Sequence, residues 1–119
     1  SYGKSFFVYG FSHIEPLGRW SIGDKSIIRF KYKSKGNDRL IIQCNTLPNY
    51  VLKVNIEVNQ KNNISLEFQS EQNIEIPLIN EENEAMIVIN YENSITPKEL
   101  NINDDTRRLA LFFKSMELI

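Results

Sequence analysis

The chain has 119 residues, room for one domain around one core, and its 41% hydrophobic content suffices for an ordinary packed interior. With 14 basic and 15 acidic side chains the net charge is −1, and no stretch gathers Lys and Arg beyond 31–35, which excludes an electrostatic track for nucleic acid. A single cysteine, Cys44, excludes an internal disulfide, and no apolar run approaches the ~20 residues of a membrane span.

The first distinctive segment is Phe11-Ser12-His13-Ile14-Glu15-Pro16-Leu17-Gly18-Arg19-Trp20-Ser21-Ile22-Gly23. A plain core does not need Glu, Arg, Trp and Gly packed this tightly, so the segment reads as ordered and non-repetitive. Strands are then predicted over 25–33, 39–45, 50–59, 64–69, 85–91 and 108–118. Their basis is alternation: Leu52, Val54, Ile56 and Val58 on one face, and Lys53, Asn55, Glu57 and Asn59 on the other. The basic run at 31–35 alternates with Tyr32 and Ser34 and reads as an exposed strand end. Cys44 lies in the apolar run at 40–44 and reads as a small buried hydrophobe.

Residues 60–63, Gln-Lys-Asn-Asn, predict a hairpin turn, because Asn tolerates positive φ. Ile74 to Leu78 is a weaker strand, since Pro77 lacks a ladder donor and points to an edge or a strand end. Ala85 to Tyr91 predicts a central strand. Near Pro97, Thr96 and Glu99 have the spacing of a capping box for one helical turn. No long window carries a 3.6-residue period. The pattern is all-β, and roughly seven or eight strands in a chain of this length fit an antiparallel sandwich better than a small barrel, with six strands around one core also compatible. Phe30, Val54, Ile56, Phe68, Ile87, Ile89, Leu111 and Phe113 are the predicted core.

Candidate site residues come from both ends. Glu15 and Arg19 stand four apart around Pro16 and Gly18, a spacing that permits a bidentate pair. Trp20 reads either as cover for a core end or as a stacking face for a sugar. His13, the one histidine, lacks the partners of a zinc site and has no nucleophile near it in sequence. Asp104 and Asp105 precede Arg107 and Arg108; they read as Asp–Arg bridging more readily than as a cation site, because full calcium-loop spacing is missing. Glu15, Arg19, Asp105 and Arg107 would form one network if the terminal segments meet. Asn is abundant at strand margins and in turns, which suits either turn demand or an amide surface for carbohydrate.

The pattern Phe-Ser-x-x-Glu-x-x-Gly-Arg-Trp-Ser-x-Gly at 11–23 resembles the opening of a bacterial β-sandwich domain. That domain is found with glycosyltransferases and phosphoglycerol-transferase-like membrane proteins of cell-surface polysaccharide biosynthesis. The closing pattern, Ser94 to Leu100 and then Asp105-Thr106-Arg107-Arg108-Leu109, resembles the same family. The family often has Gly after Leu100 and after Leu109, where this chain has Asn101 and Ala110, and Ile95 and Thr96 separate Ser94 from Pro97. The resemblance implies a jelly-roll-like sandwich akin to carbohydrate-binding modules. No cofactor and no metal are expected from these residues, and the resemblance transfers Glu15, Gly18, Arg19, Trp20, Ser21, Glu99, Asp105 and Arg107 as ligand-binding or structural-network residues. It also implies a glycan or lipid-linked saccharide and a parent catalytic domain as partners, at the cell envelope or the cytoplasmic face of the membrane. The chain shows no signal peptide, and its opening on Ser1 reads as a piece of a longer protein or a trimmed tag. Three functions compete: glycan binding, docking on a parent enzyme, and independent catalysis.

Overall fold

The computed structural model describes residues 7–78 and 83–119. Among the described residues nine strands form two antiparallel sheets: β1 Phe7–Tyr9, β2 Arg19–Trp20, β3 Lys25–Lys31, β4 Arg39–Asn45, β5 Leu52–Val58, β6 Asn62–Phe68, β7 Gln72–Pro77, β8 Glu84–Tyr91 and β9 Phe112–Leu118. One sheet runs β1-β3-β8-β5-β6 and the other β2-β9-β4-β7. Among the described residues there is no helix.

Alternation decides which face is covered. In β5, Leu52, Val54, Ile56 and Val58 are buried while Lys53 is exposed and Asn55 and Glu57 are half-buried. In β8, Ala85, Ile87, Ile89 and Tyr91 face inward and Met86, Val88 and Asn90 face outward. The inner faces meet in one cluster that includes Ile28, Leu40, Ile42, Ile76 and Leu111, and all eight predicted core residues are buried in it. Cys44 belongs to this cluster, and burial, with some help from the Glu71 charge, pushes its thiol up to about 12. It is therefore a packing group at neutral pH rather than a nucleophile.

Several predicted boundaries move. The hairpin turn lies at 59–61, not 60–63: Asn59 and Gln60 take positive φ (49° and 59°), Lys61 N–H donates to the Val58 carbonyl at 3.0 Å, and Asn62 and Asn63 pair with β5. The final strand starts at Phe112 rather than 108, because the segment before it bonds elsewhere. Ile95 and Leu109 exchange backbone hydrogen bonds, and Leu111 bonds Ser21. Strands β1 and β2 have no counterpart in the sequence reading, being too short to show a period. β7 ends on Pro77 at a sheet edge, and β8 is the central strand of its sheet.

The turn at 97–100 is capped at both ends. Thr96 Oγ1 accepts the Glu99 N–H at 3.0 Å and donates to the Glu99 carboxylate at 3.0 Å. At its end, Ile102 N–H donates to the Pro97 carbonyl and Asn101 N–H to the Lys98 carbonyl, both at 3.0 Å, with Asn101 at φ 59°. This is a Schellman closure, and it requires a left-handed residue at 101, which Asn supplies in place of Gly.

Ile56 is fully buried between its strand neighbours and the opposite sheet. Ile56→Ala is expected to lower unfolding free energy by ~2–5 kcal/mol; an unchanged denaturation midpoint would contradict the inward assignment of its face.

Candidate functional site

Residues 11–21 form a hairpin that leads from β1, at the edge of one sheet, to β2, at the edge of the other. Glu15 and Gly18 exchange backbone bonds of 2.7 and 3.1 Å, so Pro16 and Leu17 form the tip. Ser12 N–H donates to the Trp20 carbonyl at 2.9 Å, and the Trp20 N–H donates to Ser12 Oγ at 3.1 Å. The return arm is β2, paired with β9 as Arg19↔Phe113 and Trp20↔Phe112. Gly18 permits this pairing: at φ 151°, an added Cβ would lie 2.2 Å from the Phe113 carbonyl oxygen.

The register sorts the aromatic groups. Phe113 is buried, and the Arg19 guanidinium lies 5.8 Å above the Phe11 ring, which in turn meets Phe113 edge-on at 5.1 Å. Trp20 takes the other face, tilted against Phe112 at 5.1 Å and half-buried. Its ring thus covers the sheet and keeps only part of its surface for a ligand. Ser21 is fully buried: its N–H donates to the Leu111 carbonyl at 2.8 Å, and its Oγ accepts the Leu111 N–H at 3.0 Å. Ser21 also bonds the buried Tyr91 hydroxyl, which donates to Ser26 Oγ at 2.9 Å. Burial drives the Tyr91 hydroxyl far above its ordinary range, and the Ser26 and Ser21 bonds only partly oppose this.

Asp105 and Arg107 form a bidentate pair, with Nη2 to Oδ2 at 2.7 Å and Nε to Oδ1 and Oδ2 at 3.1 and 3.0 Å. The Arg107 backbone N–H also donates to Asp105 Oδ1 at 2.9 Å. These bonds hold the Asp105 carboxyl below its usual range. They raise Arg107 in turn against the opposing effect of burial, with the Glu15 charge the smallest contribution. Glu99 lies in the turn, with its carboxylate 3.9 Å from Arg108 Nη1.

A second polar cluster lay outside the sequence reading. Ser94 Oγ donates to Asp24 Oδ1 at 2.6 Å, Arg108 Nε donates to Ser94 Oγ at 3.3 Å, and Arg108 Nη2 donates to the Ser94 carbonyl. Arg108 also approaches Asp24 at 3.8 Å. The cluster adjoins an open cleft of about 390 Å³ lined by Tyr9, Ile22, Gly23, Asp24, Lys25 and Ile27. Tyr9 is 62% exposed and pairs with Ile27 across β1 and β3, which places both side chains on the outer face. Arg108 and Ser94 stood in the closing motif, but nothing in the local sequence linked them to Asp24, 70 positions from Ser94. Among the described residues, no group of three His, Cys, Asp or Glu side chains gathers to hold a metal, and His13 is exposed. No helix among them is long and apolar enough to cross a membrane.

Residues 5–119 match the family model DUF7024, described as a domain of unknown function. The chain belongs to this family. No curated protein matches it. In solved structures the DUF7024 chain is similar to a CBM35 from Cellvibrio japonicus Abf62, with TM-score 0.63 and 10% identity over 98% of this chain and 88% of that one. Xyl-CBM35 in complex with a glucuronic-acid-containing disaccharide gives TM-score 0.62 and 9% identity over the same shares. A family two carbohydrate esterase from Clostridium thermocellum, in complex with cellohexaose, gives TM-score 0.58 and 9% identity over 93% of this chain and 30% of that one. At such identities the likeness establishes the fold: this DUF7024 domain is an all-β jelly-roll sandwich resembling CBM35.

A carboxyl held below its usual range stabilises the fold above the unfolded value near 3.8, and that contribution is lost as pH falls through the folded value. Asp105→Asn should therefore flatten the acid limb of a stability–pH curve and leave its neutral-to-alkaline shape unchanged. An acid limb as steep as wild type would remove Asp105 from the account. Gly18→Ala should lower the thermal midpoint and broaden the signals of residues 15–20, since the Phe113 carbonyl must move; a native midpoint would show that the hairpin adapts.

Proposed function

We propose that this domain is a non-catalytic accessory module of a surface-glycan biosynthetic transferase, and that it binds or positions carbohydrate. The observation that carries the reading is the cleft beside Asp24, where an exposed Tyr9 ring stands among charged and hydroxyl groups on a CBM35-like sandwich. An aromatic face meets the axial hydrogens of a sugar, while Asp24, Lys25 and Arg108 bond its hydroxyls or an acidic substituent. Support also comes from the company the fold keeps, since Xyl-CBM35 holds a glucuronic-acid-containing disaccharide and the esterase holds cellohexaose. The end motifs support the tie to glycosyltransferases or phosphoglycerol transferases, with a lipid-linked saccharide or its product as ligand and a parent catalytic domain in the same protein. Glu15, Arg19, Trp20, Ser21, Glu99, Asp105 and Arg107 then serve as the frame that holds the cleft, and Trp20 keeps a partial role as a second aromatic surface.

One observation favours docking as the second reading. Ile14 and Leu17 are 73% and 79% exposed at the hairpin, beside the exposed Pro16, and they form an apolar tip.

Titration of the labelled domain against an array of bacterial surface oligosaccharides, a glucuronic-acid disaccharide and cellohexaose tests both. Saturable shifts at residues 9 and 22–27, with millimolar-to-micromolar affinity, are expected. Tyr9→Ala should weaken binding about tenfold, equivalent to ~1.4 kcal/mol. If no glycan shifts the domain, and the parent catalytic domain binds it in a manner lost in Leu17→Asp, docking is its function.

A further inference from the structure

The outer face of the five-stranded sheet carries a polar row that the fold does not require. Register aligns Lys25 on β3, Asn90 on β8, Asn55 on β5 and Ser65 on β6. Each lies on the outward side of its strand, because Ser26, Ile89, Val54 and Ile56 beside them are buried. The row begins in the cleft that Tyr9 and Lys25 line. It ends at a second open cleft, of about 190 Å³, rimmed by Lys53, Ser65, Glu67 and Glu92. The two clefts are thus the ends of one track across four strands, three spacings or roughly 14 Å long.

The asparagines on this track differ from those at 59, 93 and 101. Asn59 bonds the backbone of Glu84 and Met86, Asn93 bonds the backbone of Val51 and Lys53, and Asn101 supplies a left-handed turn residue. Turn and capping demand explains those. Asn55 and Asn90 sit inside two adjacent interior strands of the sheet, where Asn is disfavoured and Val, Ile or Thr would be the local choice. Their bonds go to side chains: Asn55 Nδ2 donates to Ser65 Oγ at 3.3 Å and Asn90 Nδ2 to Glu57 Oε2 at 3.0 Å. Each bond engages one amide N–H and leaves the second N–H and the carbonyl oxygen for a ligand. The neighbouring row, Tyr9–Ile27–Val88, supplies an apolar strip alongside.

We infer that an oligosaccharide of at least three sugars lies across this face, from the Tyr9 cleft over Asn90 and Asn55 to Ser65. The inference rests on the carbohydrate reading above and extends it from a single cleft to a chain-length requirement. The charge pattern selects the occupant. The middle of the track presents amides and a hydroxyl that both donate and accept, with the Glu57 carboxylate bonded to Asn90 beside them, which matches a polyhydroxylated chain without acidic groups at its centre. Groups of both signs stand at its two ends, Asp24 and Lys25 at one and Lys53, Glu67 and Glu92 at the other, where an acidic or basic substituent can be met.

The probe is an array of bacterial surface oligosaccharides graded from one to six sugars, with affinities measured for the intact domain by calorimetry. Binding should strengthen at least tenfold between the monosaccharide and the tetrasaccharide of the best-bound series, with amide shifts reaching 55, 65 and 90. In Asn55→Ala and in Asn90→Val that gain should fall below threefold, with thermal midpoints near wild type. Ser65→Ala and Lys53→Ala, at the exposed far end, give the same readout should a strand variant fail to fold. Equal affinity for one sugar and four, or a full length gain in these variants, overturns the track while the Tyr9 cleft stands. Failure of every glycan on the array to bind overturns the carbohydrate reading itself and the track with it.

Discussion

The exchange of hydrogen bonds between Ser21 and Leu111 is the joint on which both ends of the chain depend. Ser21 gives its N–H to the Leu111 carbonyl, and its hydroxyl takes the Leu111 N–H in return. This happens where neither partner is in a regular ladder, inside the protein and away from water. Without that hydroxyl, a buried backbone donor is left unsatisfied, a loss of about 1–3 kcal/mol. Serine is required there because it is small enough to be fully enclosed and polar enough to stand in for a backbone acceptor. Tyr91 and Ser26 continue the chain of hydroxyls to the Gly10 carbonyl. One buried polar seam therefore ties the opening hairpin, β3, β8 and the approach to β9.

Much of the rest follows from that joint. Fixing Ser21 to Leu111 sets β2 against β9 in the register that turns Phe113 inward and Phe112 outward beneath Trp20. It also brings residues 22–25 beside 94 and 108, so that Asp24, Ser94 and Arg108 meet. The ion pairs at this end are partly exposed and add little net stability on their own. Their effect is geometric: Arg108 reaches the Ser94 carbonyl and hydroxyl and the Asp24 and Glu99 carboxylates, which holds four segments at the rim of the cleft. The carboxylate of Asp38 does similar work in another loop. Burial opposes its charge, but Ser34 Oγ at 2.8 Å and the N–H groups of Lys35 and Gly36 hold it below the usual range.

The two faces of the sandwich carry different chemistry. The outer face of the four-stranded sheet presents Trp20 against Phe112, with Gln43 and Lys114 both bonded to Glu71. The outer face of the five-stranded sheet presents amides, with Tyr9 at one margin. An aromatic ring already packed on a neighbour gives a sugar less area than one that stands clear, which is why Tyr9 rather than Trp20 anchors the functional reading. Tyr9 lay outside the two end motifs and just before the first of them, so its only sequence signal was an aromatic residue ahead of a glycine.

The sequence by itself determined the layers. Alternation in β3, β5 and β8 named the inward faces, and every predicted core residue is buried, because period-2 burial is a local property that a strand displays wherever it pairs. Capping chemistry was equally local: Thr96, Pro97 and Glu99 specified their turn, and the left-handed demand at 101 is met by Asn. The tertiary structure alone decided which distant residues meet. Asp24 with Ser94, and Lys25 with Asn90, Asn55 and Ser65, are joined across tens of residues by strand order and register. Neither quantity leaves a mark on neighbouring residues, since hydrogen bonds between backbones are nearly indifferent to the side chains they bring together.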